Sequence, residues 1–272
     1  MTSTKASSPA PLIGICGIGQ MGAAGAVCFK RAGYRVLLWA RNRERLAAVE
    51  PKLGELEAWL EKHVGVAGTA GGEIKLEANL GTLDEQCDVI LDAIAEDMKQ
   101  KTALLARFPN AKARGATFIS TTSGLSITTM ARESGLGPLL VGTHFWNPPH
   151  LMPLVEVIRG DDTAPDRFEL VCALIESLGK RVIRVQRDVP GFIGNRLYHA
   201  LFREAIALVE TGVASAADVD EVVKLTFALR LPAMGPFENI DLVGLELIES
   251  IQRYLLPDLA AITRRRNCSS TN

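Results

Sequence analysis

Aromatic residues are scarce in this chain, 6% of 272 positions, and its charges nearly cancel, with 30 Lys and Arg against 31 Asp and Glu. A net charge of −1 leaves no global field to recruit nucleic acid or an anionic membrane surface. No apolar run approaches the roughly 20 residues that a membrane-spanning helix needs. Residues 1–10 are small and polar, without the apolar core of a secretory signal. The five cysteines, at positions 16, 28, 87, 172 and 268, show neither CxxC nor paired spacing. That pattern argues against a metal site and for free thiols in a reducing compartment, hence a cytoplasmic protein.

What is present is ordinary for a globular protein: 47% hydrophobic and 22% charged residues, in a chain long enough for two domains. The apolar run 12–16 is followed by Gly17-Ile-Gly-Gln-Met-Gly22, a small-residue helical stretch over 23–32, Gly33, and a second apolar run over 34–39. Strand, Gly-x-Gly-x-x-Gly, helix and strand within about 30 residues form the dinucleotide-binding pattern. Gly17 allows the tight turn, Gly19 lets a pyrophosphate approach the backbone, and Gly22 lets helix and strand pack closely. The phosphates then meet the unsatisfied N–H groups of the helix start.

Residues 43–64 read as an amphipathic helix with Leu46, Val49, Leu53, Leu56 and Leu60 on one stripe, broken or kinked at Pro51. A loop is expected over 65–72. Strands are expected over 88–94, 116–121, 139–143, 154–158 and 181–185, with helices between them. This alternation predicts an α/β fold with a doubly wound, mostly parallel sheet. From Phe192 onward only helical periods are found, over 192–211, 216–229 and 242–255. The sequence therefore divides near residue 187 into a dinucleotide-binding domain, 1–187, and a smaller all-α domain, 188–272, for substrate and dimerisation. About 85 residues bury little apolar surface alone, so a homodimer is expected.

The stretch Gly142-Thr-His-Phe-Trp-Asn-Pro-Pro-His-Leu-Met-Pro-Leu-Val-Glu-Val-Ile158 places His144, Asn147 and Glu156 around a rigid Pro148-Pro149 turn flanked by strands. Imidazole takes and returns a proton near neutral pH, and a carboxylate on a neighbouring strand can fix its tautomer. Asn147 either positions a substrate or caps the turn. His150 either binds a substrate anion or sits on the surface.

With these elements placed, the chain resembles the 3-hydroxyacyl-CoA dehydrogenase family from about residue 12 to about residue 256. Four motifs in order carry the resemblance: Gly17-Ile-Gly-Gln-Met-Gly22, Thr122-Ser-Gly-Leu-Ser-Ile-Thr128, His144-Phe-Trp-Asn-Pro-Pro with Leu154-Val-Glu-Val, and Asp188-Val-Pro-Gly-Phe-Ile-Gly-Asn-Arg-Leu197. Asn147-Pro-Pro-His150 is closer to the branch acting on small carboxylates, such as the pyridine-carboxylate alcohol of vitamin B6 breakdown. The resemblance implies an oxidoreductase that uses NAD or NADP and acts on a small-molecule substrate. His144 would be the general base, oriented by Glu156, with Ser123 and Asn195 hydrogen-bonding the reacting oxygen. Gly17, Gly19, Gln20, Met21, Gly22, Arg41, Glu96 and Lys101 would lie at the cofactor, and Asn147 and His150 at the substrate. Glu96 and Lys101 alternatively form a surface ion pair.

Two features depart from the family pattern. The second strand ends in Trp39-Ala-Arg-Asn-Arg43, without the acidic residue that grips a ribose 2′-hydroxyl in NAD enzymes. Arg41 either pairs with a 2′-phosphate, which makes NADP plausible, or stacks on adenine while NAD binds. No lysine-rich loop for the CoA 3′-phosphate is evident, so a smaller free hydroxy acid rivals an acyl-CoA as substrate. A non-catalytic NAD(P)-binding protein is the alternative of another class. A reductase with a catalytic lysine in the first long helix of the second domain is disfavoured, because 192–211 contains no lysine.

Overall fold

The computed structural model describes residues 10–65 and 71–260. They form two compact units, which part between Asn195 and Arg196. In the first, β1 (Ile13–Cys16), α1 (Gln20–Arg31), β2 (Arg35–Trp39), α2 (Arg43–Ala47), α3 (Glu50–His63) and β3 (Glu73–Glu77) open the chain. There follow α4 (Leu80–Gln86), β4 (Val89–Asp92), α5 (Met98–Leu105), α6 (Pro109–Ala113), β5 (Thr117–Ser120) and α7 (Ile127–Ser134). The unit continues with β6 (Leu140–Phe145), β7 (Leu154–Ile158), α8 (Pro165–Ser177) and β8 (Arg181–Val185).

The eight strands lie in the order β3-β2-β1-β4-β5-β6-β7-β8, parallel throughout except where β6 meets β7. The central strands are apolar and buried on both faces, as a helix-covered parallel sheet requires. Alternate side chains enter opposite cores: Ile13 and Ile15 join Val27, Phe29 and Val171 on one face, while Cys16 joins Leu83, Phe108 and Met130 on the other. The chain passes from β1 to β2 on one side and then crosses to β4 on the other. The carboxyl ends of β1 and β4 therefore form a topological switch point, where open α/β sheets bind ligands.

Several local outcomes differ from the sequence reading. The stretch 43–64, expected to break or kink at Pro51, is two helices that part just before it, and Pro51 sits in the first turn of α3, where its missing N–H costs nothing. Strand β3 was not expected; only Ile74 and Leu76 of it pack against the core, and its pairing with β2 is set by distant residues. Of the expected loop over 65–72, residues 66–70 lie outside the described ones. Residues 188–195, expected in the helical domain, pack within the first unit: Phe192 is buried and the Ile193 and Gly194 amides bond Glu156.

The second unit contains most of α9 (Gly194–Glu210), with α10 (Ala216–Leu225), α11 (Pro236–Val243) and α12 (Leu245–Leu255). A Ser215–Asp218 capping box starts α10. The reading 242–255 as one helix misses the break at Gly244, whose φ of +99° interrupts the helix. Ala207 is the one buried hydrophobic residue among the described residues of this unit, whereas Phe237, Leu242 and Tyr254 stand exposed. No helix among the described residues is long and apolar enough to cross a membrane. Cys16, Cys28, Cys87 and Cys172 carry free thiols, and burial pushes that of Cys87 up to about 12. Cys268 lies outside the described residues.

Candidate functional site

The antiparallel register of β6 and β7 places His144 directly opposite Glu156. His144 Nδ1 lies 2.6 Å from Glu156 Oε2, and both side chains are buried. A carboxylate only accepts, so Nδ1 is the donor and Nε2 is left as the basic nitrogen. The other Glu156 oxygen accepts from the Ile193 and Gly194 amides, at 2.9 and 3.0 Å. Burial alone would raise the Glu156 pKa; the bonds from His144, Gly194 and Ile193 outweigh it and hold the carboxyl below its ordinary range. Trp146 and Phe192 flank the imidazole with ring centroids 4.9 and 5.8 Å away. Gly194 makes room for Trp146, since a Cβ there would stand 2.2 Å from the indole.

Beyond the end of β5, Ser123 is held from two sides. Its amide donates to Glu96 Oε1 at 2.7 Å, and its carbonyl accepts from Asn195 Nδ2 at 2.7 Å. Thr122 Oγ1 donates to the same Glu96 oxygen at 2.6 Å. The structure thus joins Glu96, Ser123 and Asn195 in one network. Sequence reasoning missed Thr122, and also Asp92 beneath it. A lone acid ending the buried run Val89-Ile-Leu-Asp92 was the available signal, because a buried carboxylate requires partners.

Lys101 corrects an expectation. It is fully buried, with Nζ 3.0 Å from Asp92 Oδ2 and 3.8 Å from Glu96 Oε2. It is thus a buried ion pair and not a surface one: Asp92 draws it inward, and Glu96 is its second carboxylate partner. Met21 is partly buried and packs against the apolar side chains of the core. Asn147 donates to Gln20 Oε1 at 3.3 Å, tying the Pro148-Pro149 turn to the start of α1. The turn itself closes through Pro148 O, which accepts from the Leu151 and Met152 amides.

His150, expected either at a substrate anion or on the surface, is partly buried. The turn carries its ring toward α3, where it meets the edge of Trp59 at 6.2 Å. Burial and the nearby charge of Lys180 lower its pKa. Its packing partner is thus on α3, whereas the rings packed on His144 are Trp146 and Phe192.

The glycine turn fits a dinucleotide. A Cβ on Gly17 would stand 2.4 Å from Ala93 O, and one on Gly22 would stand 2.0 Å from Gly17 O. Only glycine allows the turn at φ +121° and the close seating of α1. At Gly19 a Cβ would meet nothing within 4 Å, so the backbone there faces open space. This turn borders a cleft of about 560 Å³ that Arg41, Ala93, Ile94 and Gln100 help to line.

Residues 12–189 match the family model of the 3-hydroxyacyl-CoA dehydrogenase NAD binding domain, and residues 191–269 that of the 3-hydroxyacyl-CoA dehydrogenase C-terminal domain. The chain is 31% identical over 250 residues to 5-formyl-3-hydroxy-2-methylpyridine 4-carboxylate 5-dehydrogenase of Mesorhizobium japonicum, across 91% of this chain and 81% of that protein. It is 34% identical over 236 residues to L-carnitine dehydrogenase of Streptomyces griseus, across 84% of this chain and 68% of that one. Among solved structures, a 5-formyl-3-hydroxy-2-methylpyridine 4-carboxylic acid 5-dehydrogenase, described as an NAD+ dependent dismutase, superposes with a TM-score of 0.86. The two share 29% identity, over 96% of this chain and 84% of that one.

Proposed function

The chain belongs to the 3-hydroxyacyl-CoA dehydrogenase family of oxidoreductases, and on that premise we propose that it oxidises the hydroxyl-bearing carbon of a 3-hydroxyacyl-CoA or small hydroxy carboxylate. A bound nicotinamide dinucleotide, NAD or NADP, supplies the hydride acceptor. His144 Nε2 takes the hydroxyl proton as the C–H hydride leaves, and returns it in the reverse direction. Glu156 orients the imidazole and stabilises the imidazolium that forms. Ser123 and Asn195 hydrogen-bond the reacting oxygen, and Glu96 positions Ser123. The buried His144–Glu156 pair is the observation that carries this reading, because a base held in one tautomer with one free nitrogen suits proton transfer.

Residues 1–187 carry the dinucleotide in this proposal, and residues 188–272 serve substrate binding and dimerisation. The exposed apolar side chains of the helical unit support a homodimer, and the four free cysteines among the described residues support a cytoplasmic location. The test is dinucleotide reduction with a panel of 3-hydroxybutyryl-CoA, L-carnitine and 5-formyl-3-hydroxy-2-methylpyridine 4-carboxylate, whose aldehyde would offer a hydroxyl-bearing carbon as its hydrate, each with NAD and with NADP. Turnover of at least one substrate is expected. Binding of NADH without turnover of any would leave the non-catalytic role.

A further inference from the structure

The cleft beside the glycine turn is lined by three arginines, Arg41 just past β2, Arg45 on α2 and Arg107 just past α5. No hydrogen bond or ion pair engages any of these three guanidinium groups among the described residues. This contrasts with Arg114, Arg132 and Arg184, which are bonded to carbonyl or carboxylate oxygens. Among the described residues lining the cleft there is no aspartate or glutamate. The first residue past β2, where an acid would grip a ribose 2′-hydroxyl, is Ala40. Three like charges face one another across a cleft without a counterion, an arrangement that favours an anionic occupant.

We propose that Arg41, Arg45 and Arg107 form a clamp for the 2′-phosphate of the dinucleotide's adenosine, so that the phosphorylated cofactor, NADP, binds in preference to NAD. This rests on reading the cleft as the dinucleotide site, and Gly17, Ile18 and Gly19 on its rim place the adenosine end within reach. The guanidinium fork matches a phosphate, and a 2′-hydroxyl offers it no charge to meet. The remaining adenosine phosphate to consider is the 3′-phosphate of CoA, which shares the same chemistry on the neighbouring ribose oxygen.

The probes are 2′,5′-ADP, 3′,5′-ADP and 5′-AMP, titrated into the intact protein by calorimetry. The 2′-phosphate is expected to tighten binding at least about tenfold over 5′-AMP and over 3′,5′-ADP, in keeping with charge-assisted hydrogen bonds. That advantage is expected to shrink as salt rises. In Arg41→Ala/Arg45→Ala, and separately in Arg107→Ala, the ratio of the 2′,5′-ADP and 5′-AMP affinities is expected to fall toward one. All three side chains are exposed and unpaired, so the variants are expected to melt as the parent does. Equal affinity for 2′,5′-ADP and 5′-AMP in the parent, or an unchanged ratio in both variants, overturns the clamp. Tighter binding of 3′,5′-ADP also overturns it and assigns the arginines to CoA. If 5′-AMP and NADH bind while the 2′-phosphate adds nothing, the clamp alone fails; if no adenine nucleotide binds, the dinucleotide reading fails with it.

Discussion

Glu156 meets three donors with two oxygens, the His144 ring and the Ile193 and Gly194 amides. In Glu156→Gln one of those oxygens becomes an NH2 group, so either a buried amide loses its acceptor, at a cost of about 1–3 kcal/mol, or the His144 ring turns to the tautomer whose Nε2 carries the proton and is no longer basic. A lower urea midpoint and a reduced kcat are expected together. The carboxyl is held below its ordinary value of 4.5, so its stabilising contribution is fully present above that pH. It is lost as pH falls through the depressed value of the folded state. Urea midpoints between pH 7 and pH 3 are expected to fall more steeply for the parent than for Glu156→Gln. Lys101 makes a second case. Lys101→Met leaves the Asp92 carboxylate buried without its cation, for about 3–5 kcal/mol of lost stability. The double variant Asp92→Asn/Lys101→Met is expected to recover part of that loss in urea unfolding. His144 and Glu156 were legible in sequence because a two-strand hairpin register needs only local spacing. Lys101 was not, since its partner lies on another element and its burial follows from packing.

At the scale of elements, periodicity and glycine placement were sufficient for β1, α1, β2 and β8. They were insufficient where distant pairing decides. The run Glu73-Ile-Lys-Leu-Glu77 has two apolar residues and becomes a strand through its ladder to β2. Pro51 was weighed as a break and proves to be a helix start, since the sequence does not show which turn holds it. The β1–α1 junction is the element on which dinucleotide binding depends. A methyl group at Gly22 would meet Gly17 O at 2.0 Å, so α1 must shift away from the turn. Gly22→Ala is expected to weaken NADH binding at least about tenfold, read by fluorescence titration, and to lower the melting temperature by several degrees.

For the whole molecule, the doubly wound sheet and the helical second unit were legible from the order of elements. The boundary read near 187 lies beside the limits of the two family models, 12–189 and 191–269, while the compact units part after Asn195, because the segment after Asp188 bonds to Glu156 and Ser123. The second unit leaves Leu197, Leu229, Phe237, Leu242, Leu245 and Tyr254 in solvent, more apolar surface than an isolated domain sustains. Light scattering after gel filtration is expected to return twice the 29.3 kDa chain mass, and a monomer across the accessible concentration range would refute the dimer. The central claim is that His144 moves the proton while hydride leaves the substrate. The most direct measurement is kcat of His144→Asn beside that of the parent on one substrate both bind, with NADH affinity measured in parallel. A fall in kcat of about 10²–10⁴-fold at unchanged NADH affinity is expected. An unchanged kcat would contradict the assignment of His144 as the base.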